Sequence, residues 1–154
     1  MPQISKRGKY IFGWSIVREN GLIRFPDEAI KEYKLTEETF IYIVSGSKQT
    51  GGFCVMPAPL FSKSKLQHIL KENESLAIRV LEEGQLLSYK GRKYGYLSYK
   101  NNFVKLTEPL MQILNIKIGD KLLSIRSSDI AFTMGHKGVL IEKALAYDGE
   151  IKIF

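Results

Sequence analysis

A chain of 154 residues, 44% hydrophobic and 25% charged, has the composition of a folded globule and excludes wholesale disorder. No run approaches the roughly 20 consecutive apolar residues of a membrane helix, and one cysteine, Cys54, excludes an intramolecular disulfide. The net charge of +7 and pI near 9.4 favour polyanionic partners, nucleic acid or an anionic membrane, without choosing between them.

The N-terminal stretch SKRGKY carries Lys6, Arg7 and Lys9, a basic arm able to follow a phosphate backbone. No apolar segment of signal-peptide length follows it, and a cytoplasmic location with no membrane association is expected. The next elements are the strand GLIRF, a short helix opened by Pro26 with acids in its first turn, and a hairpin of strands 40–44 and 53–56 around a Gly/Ser/Lys turn. Residues 57–76 follow as one amphipathic helix carrying Leu60, Phe61, Leu66, Ile69 and Leu70. Residues 80–89 then read as a hairpin about a Glu-Gly turn.

The second part repeats the first. A gap-free shift of 81 residues places Leu22 on Phe103, Ile23 on Val104, Arg24 on Lys105, Phe25 on Leu106, Ile30 on Met111, Tyr33 on Leu114 and Ile41 on Leu122. The strand NFVKL, a helix with Leu110, Met111 and Leu114 on one side, and a hairpin of strands 121–125 and 130–134 follow in the same order. A last hairpin is predicted over 145–154, and the glycines around His136 are read as a turn between strands. Two halves result, 8–90 with the inserted helix 57–76, and 91–154.

The matching segments SIVRENGLIRFPDEAIKEYKL and NFVKLTEPLMQILNIKIGDKLL resemble the AbrB/SpoVT-type swapped-hairpin domain: an apolar strand, a glycine, a strand ending in proline, a short helix and a GD-led hairpin, here Gly119 and Asp120. The resemblance covers about 35 to 50 residues per half. It implies a mainly β fold with short helices: a pseudo-symmetric swapped-hairpin β-barrel built from two internal repeats, with the inserted helix and end hairpins added. Tandem arrangement in one chain is similar to that of MraZ-type proteins. A lone half exposes unpaired strand edges, and the repeat supplies their partners.

The resemblance also implies a transcription regulator that binds double-stranded DNA. It places Arg18 at a basic position of the family's first strand pair and Lys31 at the second of a basic pair in the helix. Leu22, Ile30 and Tyr99 stand where such a protein carries, or this chain's first half carries, a cation. Those positions sustain a rival reading, a protein-interaction or ligand-sensing module on the same barrel. A homo-oligomer is left open.

Charge distribution adds candidates independently. From Gly84 to Thr107 there is no acid, while Lys90, Arg92, Lys93, Lys100 and Lys105 are interleaved with Tyr89, Tyr94, Tyr96 and Tyr99. Cations meet phosphates and aromatic faces stack on bases; the competing reading is tyrosines packed on the sheet and lysines guarding an edge. With Arg24 on the first strand pair, the DNA-binding candidates are Lys6, Arg7, Lys9, Arg18, Arg24, Lys31, Lys90, Arg92, Lys93, Lys100 and Lys105. Two histidines and one cysteine in unrelated contexts offer no metal-ligand spacing, nucleophile elbow or phosphate loop, and no catalysis or cofactor is expected.

Overall fold

The computed structural model describes residues 11–64, 67–77, 82–147 and 151–154. In chain order the strands are β1 (Ile11–Ile16), β2 (Leu22–Arg24), β3 (Phe40–Ser45), β4 (Phe53–Pro57), β5 (Leu87–Tyr89), β6 (Arg92–Ser98), β7 (Phe103–Lys105), β8 (Lys121–Arg126) and β9 (Phe132–Gly135). The helices are α1 (Asp27–Glu32), α2 (Ala58–Lys63), α3 (Gln67–Glu72), α4 (Glu74–Ala77), α5 (Glu108–Leu114) and α6 (Val139–Leu145). The fold is mainly β: one seven-stranded antiparallel sheet in the order β1-β8-β9-β4-β3-β6-β5, and a separate two-stranded ribbon of β2 and β7. Among the described residues no helix is long and apolar enough to cross a membrane.

The 81-residue period is visible in the elements. Shifting β1, β2 and β3 by 81 gives 92–97, 103–105 and 121–126, against β6, β7 and β8 as observed. Pairing runs across the repeat, because β1 pairs with β8, β6 with β3, and β2 with β7. Alternation along the strands explains the two apolar faces. Ile41 and Ile43 of β3 join Phe25, Phe53, Leu97, Leu106 and Phe132 in the core beneath the ribbon and α1 and α5. Tyr42 and Val44 face the opposite way, into a second cluster with Phe61, Ile69 and Leu76 of α2–α4. A third cluster, Trp14, Leu123 and Ile125 with Ile141 and Ala144, lies under α6.

Gly21 joins the halves at the ribbon. Its φ of 77° is left-handed, its carbonyl accepts the Leu106 N–H at 3.0 Å, and a Cβ there would stand 2.2 Å from the Leu106 carbonyl oxygen. Only a residue without a side chain lets the two backbones approach so closely.

Several expectations are corrected. The sheet is open and not a closed barrel: β1 and β5 are its end strands, and beyond β1 run the C-terminal residues, with Trp14 N–H donating to the Lys152 carbonyl at 2.9 Å and Phe154 N–H to the Trp14 carbonyl at 2.7 Å. The single inserted helix is three short ones. The Ser64 hydroxyl donates to the Phe61 carbonyl at 2.8 Å and the Asn73 amide to the Ile69 carbonyl at 2.8 Å, so polar side chains take up terminal carbonyls of α2 and α3. Leu66 lies outside the described residues.

The hairpin expected over 80–89 is displaced. β5 pairs forward with β6 around Lys90 and Gly91, whose φ of 47° and 82° suit a two-residue turn; residues 80 and 81 lie outside the described residues. Of the hairpin expected over 145–154, residues 148–150 lie outside the described residues; Leu145 instead ends α6, and residues 151–154 run along β1, where Ile153 bridges Trp14 in parallel. His136 accordingly leads from β9 toward a helix, not into another strand. The helical spacing of Leu140, Ile141 and Ala144 buries that face on Trp14 and Leu123.

Candidate nucleic-acid interface

The ribbon is the element that gathers cations. Its register sets Leu22 opposite Lys105, Ile23 opposite Val104, and Arg24 opposite Phe103. Ile23 and Val104 are buried, so strand alternation turns Leu22, Arg24, Phe103 and Lys105 to the outer face. Arg18 precedes the ribbon through a single 3₁₀ turn, and its guanidinium lies 4.9 Å from the Phe103 ring centroid. Lys100 joins from the other side, since its backbone exchanges hydrogen bonds with that of Phe103 at 2.9 and 3.0 Å. Arg18 thus lies over the Phe103 ring, while Arg24, Lys100 and Lys105 are placed on or beside the same two strands, with Glu83 lining the same surface depression as Lys100, Phe103 and Lys105.

These four differ in freedom. Arg24 pairs with Asp27 at 2.6 Å and lies 5.1 Å from the Phe154 ring centroid. Arg18, Lys100 and Lys105 are exposed and form no ion pair with a described carboxylate. Lys31 is exposed on the last turn of α1. Lys6, Arg7 and Lys9 lie outside the described residues.

Lys90, Arg92 and Lys93 form a second group at the β5–β6 turn, separated from Lys100 by the length of β6, about 20 Å. Contiguity in sequence does not bring the two groups together. Nor is the stretch free of acids in space. Tyr89 donates its hydroxyl to Glu72, which holds the Glu72 carboxyl below its ordinary range, with Lys90 acting in the same direction. Ser98 donates to Glu83. Arg92 donates to the Ser45 carbonyl at 2.7 Å.

The interleaved tyrosines pack into the fold. Tyr94 and Tyr99 are buried, and Tyr89 and Tyr96 lie partly buried beside Tyr42 and Phe40. Tyr99 stacks on Phe25 with centroids 5.7 Å apart, and burial pushes its phenol up to about 12, against a smaller opposing effect of Arg24. Phe103 is the aromatic residue on the cationic face. Its outward position could have been read from the alternation of NFVKL, where Val104 is the inward residue.

Cys54 is partly buried, with its thiol 3.5 Å from the Thr133 hydroxyl. Among the described residues no group of three His, Cys, Asp or Glu side chains is placed to hold a metal ion. No protein-family model, curated protein or solved structure matches this chain.

Proposed function

We propose that this chain is a DNA-binding transcription regulator, a tandem swapped-hairpin domain of the AbrB/SpoVT type working in the cytoplasm. The observation that carries the reading is the ribbon, which brings Arg18, Arg24, Lys100 and Lys105 together on and beside its two strands, with Arg18 over Phe103. A two-stranded ribbon is narrow enough to approach a duplex groove, with cations at its margins meeting phosphates and few side chains left for base edges. The exchange of strand partners across the 81-residue period supports the swapped-hairpin assignment: the first strand of each half pairs with the hairpin of the other.

Polarisation titration with a random duplex tests this. With Arg24 held by Asp27, three phosphates neutralised by Arg18, Lys100 and Lys105 give a slope of about −2.7 for log affinity against log salt, a loss of roughly 40-fold between about 50 and 200 mM. Absence of duplex binding at the lower salt overturns the proposal. The ion pair of Arg24 with Asp27 favours the rival reading, a protein-interaction module on the same fold, because it withdraws one ribbon cation from phosphate. In that case the slope vanishes while the fold stays intact.

A further inference from the structure

The two halves differ in chemistry between the ribbon and β8. There an open groove of about 520 Å³ has a floor of Leu106, Met111 and Ile116, with Lys105, Lys117 and Ile118 also lining it. The floor residues are buried, yet Ile118 is 58% exposed. Glu108 is the carboxylate in this lining, against two lysines.

The corresponding positions of the first half act as an internal control. Going back 81 residues, Arg24 stands for Lys105, Asp27 for Glu108, Thr36 for Lys117 and Glu37 for Ile118. Arg24 and Asp27 neutralise each other at 2.6 Å. Lys105 and Glu108 have the same spacing but form no ion pair, and the Lys117 side chain forms none with a described carboxylate, although its backbone N–H donates to the Asp120 carboxylate at 2.8 Å. In the first half the cation at this place is paired, whereas in the second, among the described residues, Lys105 and Lys117 carry unpaired side-chain charge beside an apolar floor.

We propose that this groove binds a small amphipathic anion, its apolar body on Leu106, Met111, Ile116 and Ile118 and its carboxylate, sulfonate or phosphate head paired with Lys105 and Lys117. The volume falls in the range of small-molecule sites, roughly 300–1,000 Å³, and the composition matches, an apolar lining with a few polar groups. Covering Ile118 removes apolar surface from water, and the head meets cations that have no internal partner. The groove shares Lys105 with the ribbon face, whereas Lys117 and Ile118 belong to the groove alone, so substitutions at these two separate the anion site from DNA binding.

The test is fluorescence titration of the full chain with 8-anilinonaphthalene-1-sulfonate, followed by displacement with dodecanoate or dodecanol. Expected are one saturable site per chain and displacement by dodecanoate at least about tenfold more effective than by dodecanol. Ile118→Glu, which installs the first half's residue, should weaken both anions by about tenfold or more. Lys117→Thr should weaken them by about fivefold while leaving displacement by dodecanol unchanged. Both residues are exposed in a turn, so unchanged circular dichroism should accompany both losses. The proposal is overturned by unsaturable binding, by equal displacement by alcohol and acid, or by variants that titrate as wild type. It is equally overturned if light scattering shows a dimer that Ile118→Glu dissolves, since a second copy would then cover the groove.

Discussion

The Arg18 guanidinium lies 4.9 Å from the centroid of the Phe103 ring, so a cation that precedes β2 is held by an aromatic side chain of β7. Phe103 also faces Arg24 in the ribbon register, which makes the ring the support of the proposed interface. Replacing it by leucine keeps an apolar side chain and removes the cation–π attraction, about 0.5–1 kcal/mol at an exposed site. Phe103→Leu should therefore weaken duplex binding about two- to fivefold with the salt slope unchanged, because every charge remains. Arg18→Ala should flatten the slope by about 0.9. Polarisation titrations at several salt concentrations separate the two effects, and a flattened slope in Phe103→Leu would show that the ring acts otherwise than by holding Arg18.

Ile30 of α1 and Met111 of α5 are buried at positions 81 residues apart and belong to one core cluster. Each anchors its helix beneath the ribbon, and truncation leaves a cavity that the surrounding sheet fills only in part. Ile30→Ala and Met111→Ala should each lower unfolding free energy by about 2–5 kcal/mol, measured by urea denaturation. A loss below about 1 kcal/mol in either would show that its helix face does not carry the packing.

How far the sequence could be read follows from which contacts are local. The strands at 22–24 and 103–105 are legible because Ile23 and Val104 point inward between outward neighbours, and those at 40–45 and 121–126 because each is a short, largely apolar run bounded by polar turns. The shared period is legible for the same reason, as it repeats those faces. Helix α6 is not legible because the glycines around His136 read as a turn between strands, while the apolar spacing of Leu140, Ile141 and Ala144 favours a helix. The three-way break of residues 58–77 depends on Ser64 and Asn73 bonding to carbonyls, a choice between competing acceptors that composition does not reveal. In the candidate site the cations were legible as residue types. Their division into two groups was not, since it depends on Arg92 through Ser98 forming one extended strand.

Tyr99 supplies a pH-dependent check of the core. Burial raises its phenol to about 12, so the native state holds the proton that the unfolded chain releases near 10. The associated stability is complete below pH 10 and is lost as pH rises through about 12, with about 1.4 kcal/mol gone at pH 11. Tyr99→Phe abolishes this titration together with the hydroxyl's bond to Asn102, which is 3.2 Å long. Urea denaturation of both proteins at pH 8 and pH 11 should therefore show the wild type losing about 1.4 kcal/mol more than the variant. Equal losses would mean that the phenol is solvated in the native state.

The division of the basic stretch into two groups yields the sharpest test of the interface. Lys100 and Lys105 stand by the ribbon, whereas Lys90, Arg92 and Lys93 lie about 20 Å away at the β5–β6 turn, a distance of about six base pairs along a duplex. The turn cations are also partly committed: Arg92 bonds to the Ser45 carbonyl at 2.7 Å, and Lys90 lies beside the Tyr89–Glu72 pair. Double alanine substitution at Lys100 and Lys105 should flatten the salt slope by about 1.8, and substitution at Arg92 and Lys93 should leave it unchanged. All four are exposed, so melting temperatures should stay near wild type and the comparison reads binding alone. Equal flattening by both pairs would extend the interface along β6 to the turn, and flattening by the turn pair alone would move it there. If neither pair alters the slope, phosphates are not what this charge meets, and the protein-interaction reading replaces DNA binding.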